Sequence, residues 1–173
     1  MWRTRTSLVG MTSLAVCPGS YDPITLGHVD VVRRALSLFD EIIVAVANNS
    51  TKNYLFSTDQ RVALARQAVQ GLDGVKVEPV SGLLADYCRE KGARAIVKGL
   101  RSSADFDAEL GMSLLNRHLS GIETVFIMGD PALNHVASSL VKDIARHGGD
   151  VTGLVPDAVA TSLMRVRPGS RNG

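Results

Sequence analysis

The sequence predicts an α/β protein built on a doubly wound, five-stranded parallel sheet, with helices on both faces and a C-terminal helix. Three observations predict it. Apolar runs of strand length alternate with segments of helical period along the chain. The main strand runs are continuously apolar rather than alternating, as in strands buried on both faces. Aromatic residues make up only 5% of the chain against 45% apolar residues, so the core must be mainly Val, Leu, Ile and Ala.

Leu14-Ala15-Val16-Cys17 reads as the first strand, stopped by Pro18-Gly19. From Gly27, the residues Val29, Val32, Leu36 and Phe39 recur at three and four positions with Arg33 and Arg34 between them, an amphipathic helix. Residues 42–47 form an apolar run long enough for a buried strand and too short for a helix. Ser57-Thr58-Asp59-Gln60 has capping-box spacing ahead of Val62, Leu64, Ala65 and Ala68, a second helix ending near Gly71. A short strand at 75–77, a helix over 83–91 closed by Gly92 and a strand at 95–97 follow. A helix over 104–119 precedes a fifth strand at 124–128. Ser138 or Ser139 caps the next helix, which runs through Leu140, Val141, Ile144 and Ala145 to Gly148. Pro156 suits the first residue of a last helix. Strands separated by helices require right-handed crossovers, which gives a Rossmann-like sheet. Such sheets bind ligands beyond the carboxyl ends of their strands, here the loops 18–28, 48–56, 80–84, 98–103 and 129–139.

The 173 residues suit one domain, placed at 13–167. Residues 1–12 are either a disordered extension or a misplaced start, with Met11 as the alternative first residue, and 168–173 form a disordered tail. A formal charge of +2 argues for neither nucleic acid nor membrane. No apolar run approaches the roughly 20 residues of a membrane span, and the first residues lack the apolar stretch of a secretory signal. Cys17 and Cys88 lie in apolar contexts without paired spacing. They are expected to be reduced core thiols of a cytoplasmic protein rather than a disulfide or a metal site.

The loop 17–28, Cys-Pro-Gly-Ser-Tyr-Asp-Pro-Ile-Thr-Leu-Gly-His, joins the first strand to the first helix. Gly19 and Gly27 let backbone approach a ligand closely, and free amides at the helix start make an anion site. Thr25 and His28 are three residues apart at that start, so both can face one phosphate; alternatively, His28 only caps the turn. Val97-Lys98-Gly99-Leu100-Arg101 puts two cations at a strand's carboxyl end, either a phosphate clamp or a solvated basic turn. Val136-Ala137-Ser138-Ser139-Leu140 opens a helix whose hydroxyls and amides suit either outer phosphates or simple capping. No Gly-x-x-x-x-Gly-Lys-Ser/Thr loop is present, and no Gly-x-Gly-x-x-Gly follows a strand.

Taken together these strings resemble the nucleotidylyltransferase superfamily, in the Thr-x-Gly-His form of the bacterial phosphopantetheine adenylyltransferases. The resemblance covers roughly residues 14–166. It implies transfer of AMP from ATP to 4′-phosphopantetheine, giving dephospho-coenzyme A and pyrophosphate in coenzyme A biosynthesis, by direct in-line attack with Mg²⁺ and no covalent intermediate. It assigns His28, Lys52 and Arg101 to catalysis. Ser20, Tyr21, Thr25, Gly99, Leu100, Glu109, Leu133, Asn134, His135, Val136, Ala137, Ser138 and Ser139 join His28 and Arg101 at ATP. Ser20, Lys52, Leu84, Lys98 and Asn116 go to the phosphopantetheine side. A homohexamer and feedback inhibition by coenzyme A are implied as well.

The chain departs from the family pattern at Ala108, Gly111, Leu133, Ala137 and Asp143, of which Ala108, Gly111, Leu133 and Asp143 fall around the pantetheine and adenine pockets. These changes bear on affinity and acceptor preference rather than on the phosphate clamp. Two alternatives stay open at this level. One is a nucleotidylyltransferase with another phosphate acceptor, such as nicotinamide mononucleotide, glycerol phosphate or a flavin; the other is a non-catalytic module that binds ATP or coenzyme A.

Overall fold

A computed structural model describes residues 12–166; the segments 1–11 and 167–173, and with them the expected extension and tail, lie outside the described residues. Five strands, β1 (Leu14–Gly19), β2 (Glu41–Ala47), β3 (Val75–Val80), β4 (Ala95–Leu100) and β5 (Glu123–Met128), form one sheet of order β3-β2-β1-β4-β5. Every neighbouring pair is parallel. The helices are α1 (Leu26–Ala35), α2 (Thr58–Ala68), α3 (Leu84–Glu90), α4 (Ser103–Ser120), α5 (Ser138–Arg146) and α6 (Asp157–Arg165), with a 3₁₀ turn at Pro131–Leu133. This is the expected Rossmann-like architecture.

The winding reverses between β1 and β4, and the ladder there is short. β1 pairs with β2 from Leu14↔Glu41 to Gly19↔Val46, but with β4 only at Ala15↔Ala95 and Val16↔Ile96. Beyond Val16 the two central strands part, which opens a crevice at the switch point. Pro18, expected to stop β1, instead lies inside it opposite Ala45. A proline without an N–H is tolerated where one neighbour has already left.

β4 is longer than the apolar run predicted, because Lys98, Gly99 and Leu100 continue the pairing with Phe126, Ile127 and Met128. Gly99 is required there: a Cβ would sit 2.5 Å from Val31 Cγ2, so only glycine lets α1 lie this close to the strand. β3 also runs on, through Pro79, as an edge strand allows. The α2 start is as expected. Ser57 Oγ accepts the Gln60 N–H at 3.2 Å, and Gln60 Oε1 accepts the Ser57 N–H at 2.9 Å.

Two expectations shift by a position or more. The N-cap of α5 is Ala137, with no side-chain cap, and Ser138 and Ser139 are the first two helical residues. Pro156 is the N-cap of α6 rather than its first residue, because its extended backbone precedes the first helical turn.

Alternation along the strands divides the core into two layers. Ala15, Cys17, Ile42, Val44 and Val46 pack with α1, α2, α5 and α6 residues such as Val32, Ala65, Val141 and Val159. Val16, Ile43, Ala45 and Ile96 face the other way, with Cys88 of α3. Each fully buried Val or Ile contributes about 1.5–3 kcal/mol. Both cysteines are free and buried, and burial pushes the Cys17 thiol up to about 12 against the nearby Lys98 charge. Among the described residues no helix is long and apolar enough to cross a membrane.

Candidate active site

The crevice is lined first by the start of α1. Thr25 is its N-cap and His28 its third residue, and the two make a reciprocal box. His28 Nδ1 accepts the Thr25 N–H at 3.0 Å, while Thr25 Oγ1 accepts the His28 N–H at 3.4 Å. A nitrogen that accepts a backbone N–H carries no proton, so in the neutral ring the proton sits on Nε2. Burial pushes the imidazole down to about 4, and the charges of Arg101 and Lys98 act in the same direction. His28 is therefore neutral at pH 7. Its two nitrogens divide the tasks: Nδ1 caps the helix, and Nε2–H remains as a donor. The capping reading and the ligand reading of His28 are compatible.

Tyr21 supports this ring. It packs edge-on against His28 with centroids 5.1 Å apart, and its hydroxyl donates to Cys17 O at 2.8 Å. Its φ of 48° is a left-handed conformation for a bulky residue, of a kind held by surrounding contacts at functional sites. Gly19 makes room for it, since a Cβ there would lie 3.0 Å from the Tyr21 ring.

The cations of the second string face α4. Lys98 Nζ is 3.2 Å from Glu109 Oε2. Arg101 donates Nε and Nη2 to the two oxygens of Asp105, both at 3.1 Å, and Nη1 to Val136 O at 3.1 Å. The hydrogen bond from Arg101 holds the Asp105 carboxyl below its usual range. Asp105 and Glu109, one turn apart on α4, thus each orient one cation of β4 or of the turn after it.

The third string closes the ring of contacts. Ser138 Oγ donates to Pro23 O at 2.8 Å, and Lys142 Nζ to the buried Asp22 Oδ2 at 2.9 Å. The Asp22 carboxylate also accepts the N–H groups of Leu55 and Phe56, at 2.8 and 2.9 Å. Asp30 on α1 accepts the Asp130 N–H at 2.9 Å, which anchors the loop after β5. Three sequence-distant segments, 20–28, 98–101 and 136–142, are in this way tied to one another around the end of β1.

A second, more open region lies beside the end of β2. Asn49, Lys52, Tyr54 and Arg61 line a cleft of about 800 Å³ there. Lys52 is exposed, and its N–H donates to Asn49 O at 3.0 Å.

Residues 16–144 match the cytidylyltransferase-like family. The chain is 54% identical to the phosphopantetheine adenylyltransferase of Bifidobacterium longum over 87% of its own length and 92% of that protein. It is 53% identical to that of Kocuria rhizophila, over 86% and 96% respectively. It belongs to the phosphopantetheine adenylyltransferase family. The fold is also that of a Vibrio parahaemolyticus crystal structure provisionally assigned as a nicotinate-nucleotide adenylyltransferase, with a TM-score of 0.62 at 16% identity over 89% of this chain and 99% of that one.

Within this family member the structure gathers some of the expected site residues and leaves others apart. Tyr21, Thr25, His28, Lys98, Arg101, Glu109, Val136 and Ser138 belong to the network just described, together with β4 at Gly99 and Leu100, whereas Ser20 is held through its carbonyl by Arg61 of the second region. Lys98 is a strand residue rather than a loop residue, because the β4 ladder continues through it. Ala137 is the cap before Ser138 and Ser139, and Leu133 packs on the larger core just before the exposed Asn134 and His135. Lys52 is bonded to none of these clamp residues; Leu84 packs against the smaller core, and Asn116 is buried on α4.

Sequence reasoning missed Asp22, Arg61 and Lys142, which hold the site together. Arg61 carried a readable signal: it stands at the 61-64-65-68 spacing of the α2 apolar stripe, where a cation is unexpected. Nothing in the sequence pairs Asp22 with Lys142.

Proposed function

We propose that this chain transfers AMP from ATP to 4′-phosphopantetheine, giving dephospho-coenzyme A and pyrophosphate. The observation that carries the reading is the convergence of the α1 start, Arg101 and the α5 start at the opened end of β1. Each supplies donors of the kind that bind phosphate, and membership of the family supplies the acceptor.

ATP lies with its phosphates across the two helix starts. The Gly27 amide at the α1 start and the amides of Ser138 and Ser139 donate to phosphate oxygens, with Arg101 as the cation. Tyr21, the backbone at Gly99 and Leu100, Glu109 and the segment 133–137, with Asn134 and His135, border the nucleotide. Ser20, Lys52, Lys98, Leu84 and Asn116 serve the acceptor. An oxygen of the acceptor phosphate forms a bond to the α-phosphorus as the bond from that phosphorus to the bridging oxygen breaks, and pyrophosphate leaves with the electron pair. His28 donates its Nε2 proton in a hydrogen bond to the α-phosphate as charge develops. A phosphate nucleophile is already ionised at neutral pH, so no general base is needed, and catalysis rests on positioning and electrostatics.

Magnesium fits this site as part of the nucleotide rather than in a protein cage. Among the described residues no three His, Cys, Asp or Glu side chains converge to hold a metal, and Asp22 is already committed to two N–H groups and Lys142. The hydroxyls of Thr25, Ser138 and Ser139 are the neutral oxygens nearby. Held by the phosphates of ATP, Mg²⁺ would supply further charge neutralisation beside these residues.

The reading extends to a cytoplasmic homohexamer inhibited by coenzyme A. In support of self-association, α4 leaves Phe106, Leu110, Met112, Leu114, Leu115 and Leu119 exposed. Phe106, Leu110 and Leu114 flank the buried side of the helix on one edge and Met112, Leu115 and Leu119 on the other, and apolar exposure of this extent marks a contact surface. The product shares the pantetheine arm with coenzyme A, which makes coenzyme A a natural competitor.

The test is pyrophosphate release from Mg-ATP with and without 4′-phosphopantetheine, with the product identified. Release that requires this acceptor, and not nicotinamide mononucleotide or glycerol phosphate, is expected. Release with another acceptor in its place would overturn the reading.

A further inference from the structure

We infer that Arg61 is a positioning residue for the acceptor side of the site, fixing Ser20 and the loop that carries Lys52 on one buried guanidinium; this rests on the acceptor reading above. Arg61 is 1% exposed. Its Nη1 donates to Ser20 O at 2.6 Å and to Ala47 O at 3.1 Å, and its Nε to Phe56 O at 3.3 Å. Its Nη2 donates to Asn48 Oδ1 and, at 3.3 Å, to Thr58 Oγ1. One fork thus binds the chain leaving β1, the chain leaving β2 and the chain entering α2.

The contact passes on to Lys52. The guanidinium carbon lies 4.0 Å from the Tyr54 ring centroid, and the Tyr54 hydroxyl accepts the Asn49 N–H at 2.6 Å. Asn49 O in turn accepts the Lys52 N–H at 3.0 Å. Burial works to raise the Tyr54 pKa, but the Asn49 and Ser20 hydrogen bonds and the charges of Arg61 and Lys52 lower it overall.

All five acceptors are neutral, and Arg61 takes part in no ion pair among the described residues. A buried cation is costly, and an apolar residue of similar volume would serve packing as well or better. What the apolar residue could not supply is the shared fork and a positive charge at the edge of the roughly 800 Å³ cleft. Lysine lacks the fork and cannot hold three segments.

The experiment compares Arg61→Lys and Arg61→Gln with wild type in acceptor KM, in ATP affinity measured without acceptor, and in Tm. The acceptor KM is expected to rise by about ten- to a hundredfold in both variants, as misplacement at a site does, with ATP affinity nearly unchanged. An acceptor KM preserved in Arg61→Lys, or ATP affinity lost in step with acceptor affinity, overturns the inference. Should the Arg61 variants fail to fold, Tyr54→Phe removes only the hydroxyl, and with it the links to Asn49 and Ser20. A smaller rise in acceptor KM alone supports the inference, and an unchanged KM overturns it. Wild-type protein without acceptor-dependent pyrophosphate release would instead sink the substrate reading. Amide exchange then still reads the positioning in Arg61→Lys: faster exchange at Asn49 and Lys52, with none at Thr25 and His28, supports it, and no change or a uniform change overturns it.

Discussion

The loops that leave β1 and β2 start from adjacent strands of one sheet, yet they are held in different ways. The β1 loop is buried over residues 21–25, and its segment is tied to α5 through Pro23–Ser138 and Asp22–Lys142. The β2 loop is exposed from Asn48 to Asn53, and only its root is fixed, by Arg61 and Tyr54. The cations follow the same division. Lys98 and Arg101 are each paired with an α4 carboxylate, whereas Lys52 takes part in no ion pair among the described residues. The proposed nucleotide side is therefore formed before any ligand arrives, and its ordering is completed on folding. On the reading proposed above, the acceptor side carries one of its two cations, Lys52, on a loop that must be ordered on binding, at about 1.5–2 kcal/mol for a long side chain.

The largest effect is expected on the pre-formed side. His28→Ala should lower kcat by about a hundred- to a thousandfold, the range for loss of one preorganised donor, with ATP binding retained; near-normal turnover would remove His28 from the chemistry. The same residue has a pH signature. Its folded pKa of about 4 lies below the ordinary histidine value of 6.5, so the unfolded chain binds the proton more readily between those values. Its contribution to stability is thus complete above 6.5 and is lost as pH falls towards 4. An NMR titration should find His28 neutral, with Nε2 protonated, down to the lower value; titration at an ordinary histidine pKa would contradict the buried, cation-flanked site.

Arg101→Ala comes next. Hydrogen bonds to charged groups contribute about 1.5–3 kcal/mol, so ATP binding measured alone should weaken by roughly ten- to a hundredfold, with little change in acceptor KM. Lys52→Ala should do the reverse and do less. An exposed ion pair contributes at most about 1 kcal/mol, or about fivefold in acceptor KM. If both variants lost both substrates equally, the division between the two loops would fall. The smallest effect lies outside both regions. Gly111 is exposed inside α4, and a Cβ there meets nothing within 4 Å. Gly111→Ala should stabilise the fold by about 0.5–1 kcal/mol, read as a higher Tm.

The layers of this site differ in how far the sequence discloses them. Element order and parallel topology are legible because continuous apolar runs and helical periods alternate without ambiguity. The meeting of the strings around Thr25, Arg101 and Ser138 is legible because each follows a strand and a parallel sheet brings its strand ends to one edge. Ends are less so: Lys98-Gly99 reads as a loop, but sheet pairing and the close approach of Val31 overrule that local signal. The hydrogen bonds that decide how the site works are not local at all. Asp22 meets Lys142 across 120 residues, and the two nitrogens of His28 take separate roles only once Thr25 N–H occupies one of them. Arg61 lies between these cases, visible as a cation on an apolar stripe but silent about the three segments it joins.

The contrast between the two loops is tested most directly by amide hydrogen exchange on the free protein, with Mg-ATP, and with both substrates. Before any ligand is added, Thr25 and His28 should be strongly protected, and Asn49 to Asn53, whose hydrogen bonds are exposed, only weakly. The Asn49 to Asn53 amides should then become protected only when 4′-phosphopantetheine is present. Equal protection of both segments in the free protein, or ordering of the β2 loop by Mg-ATP alone, would contradict the account.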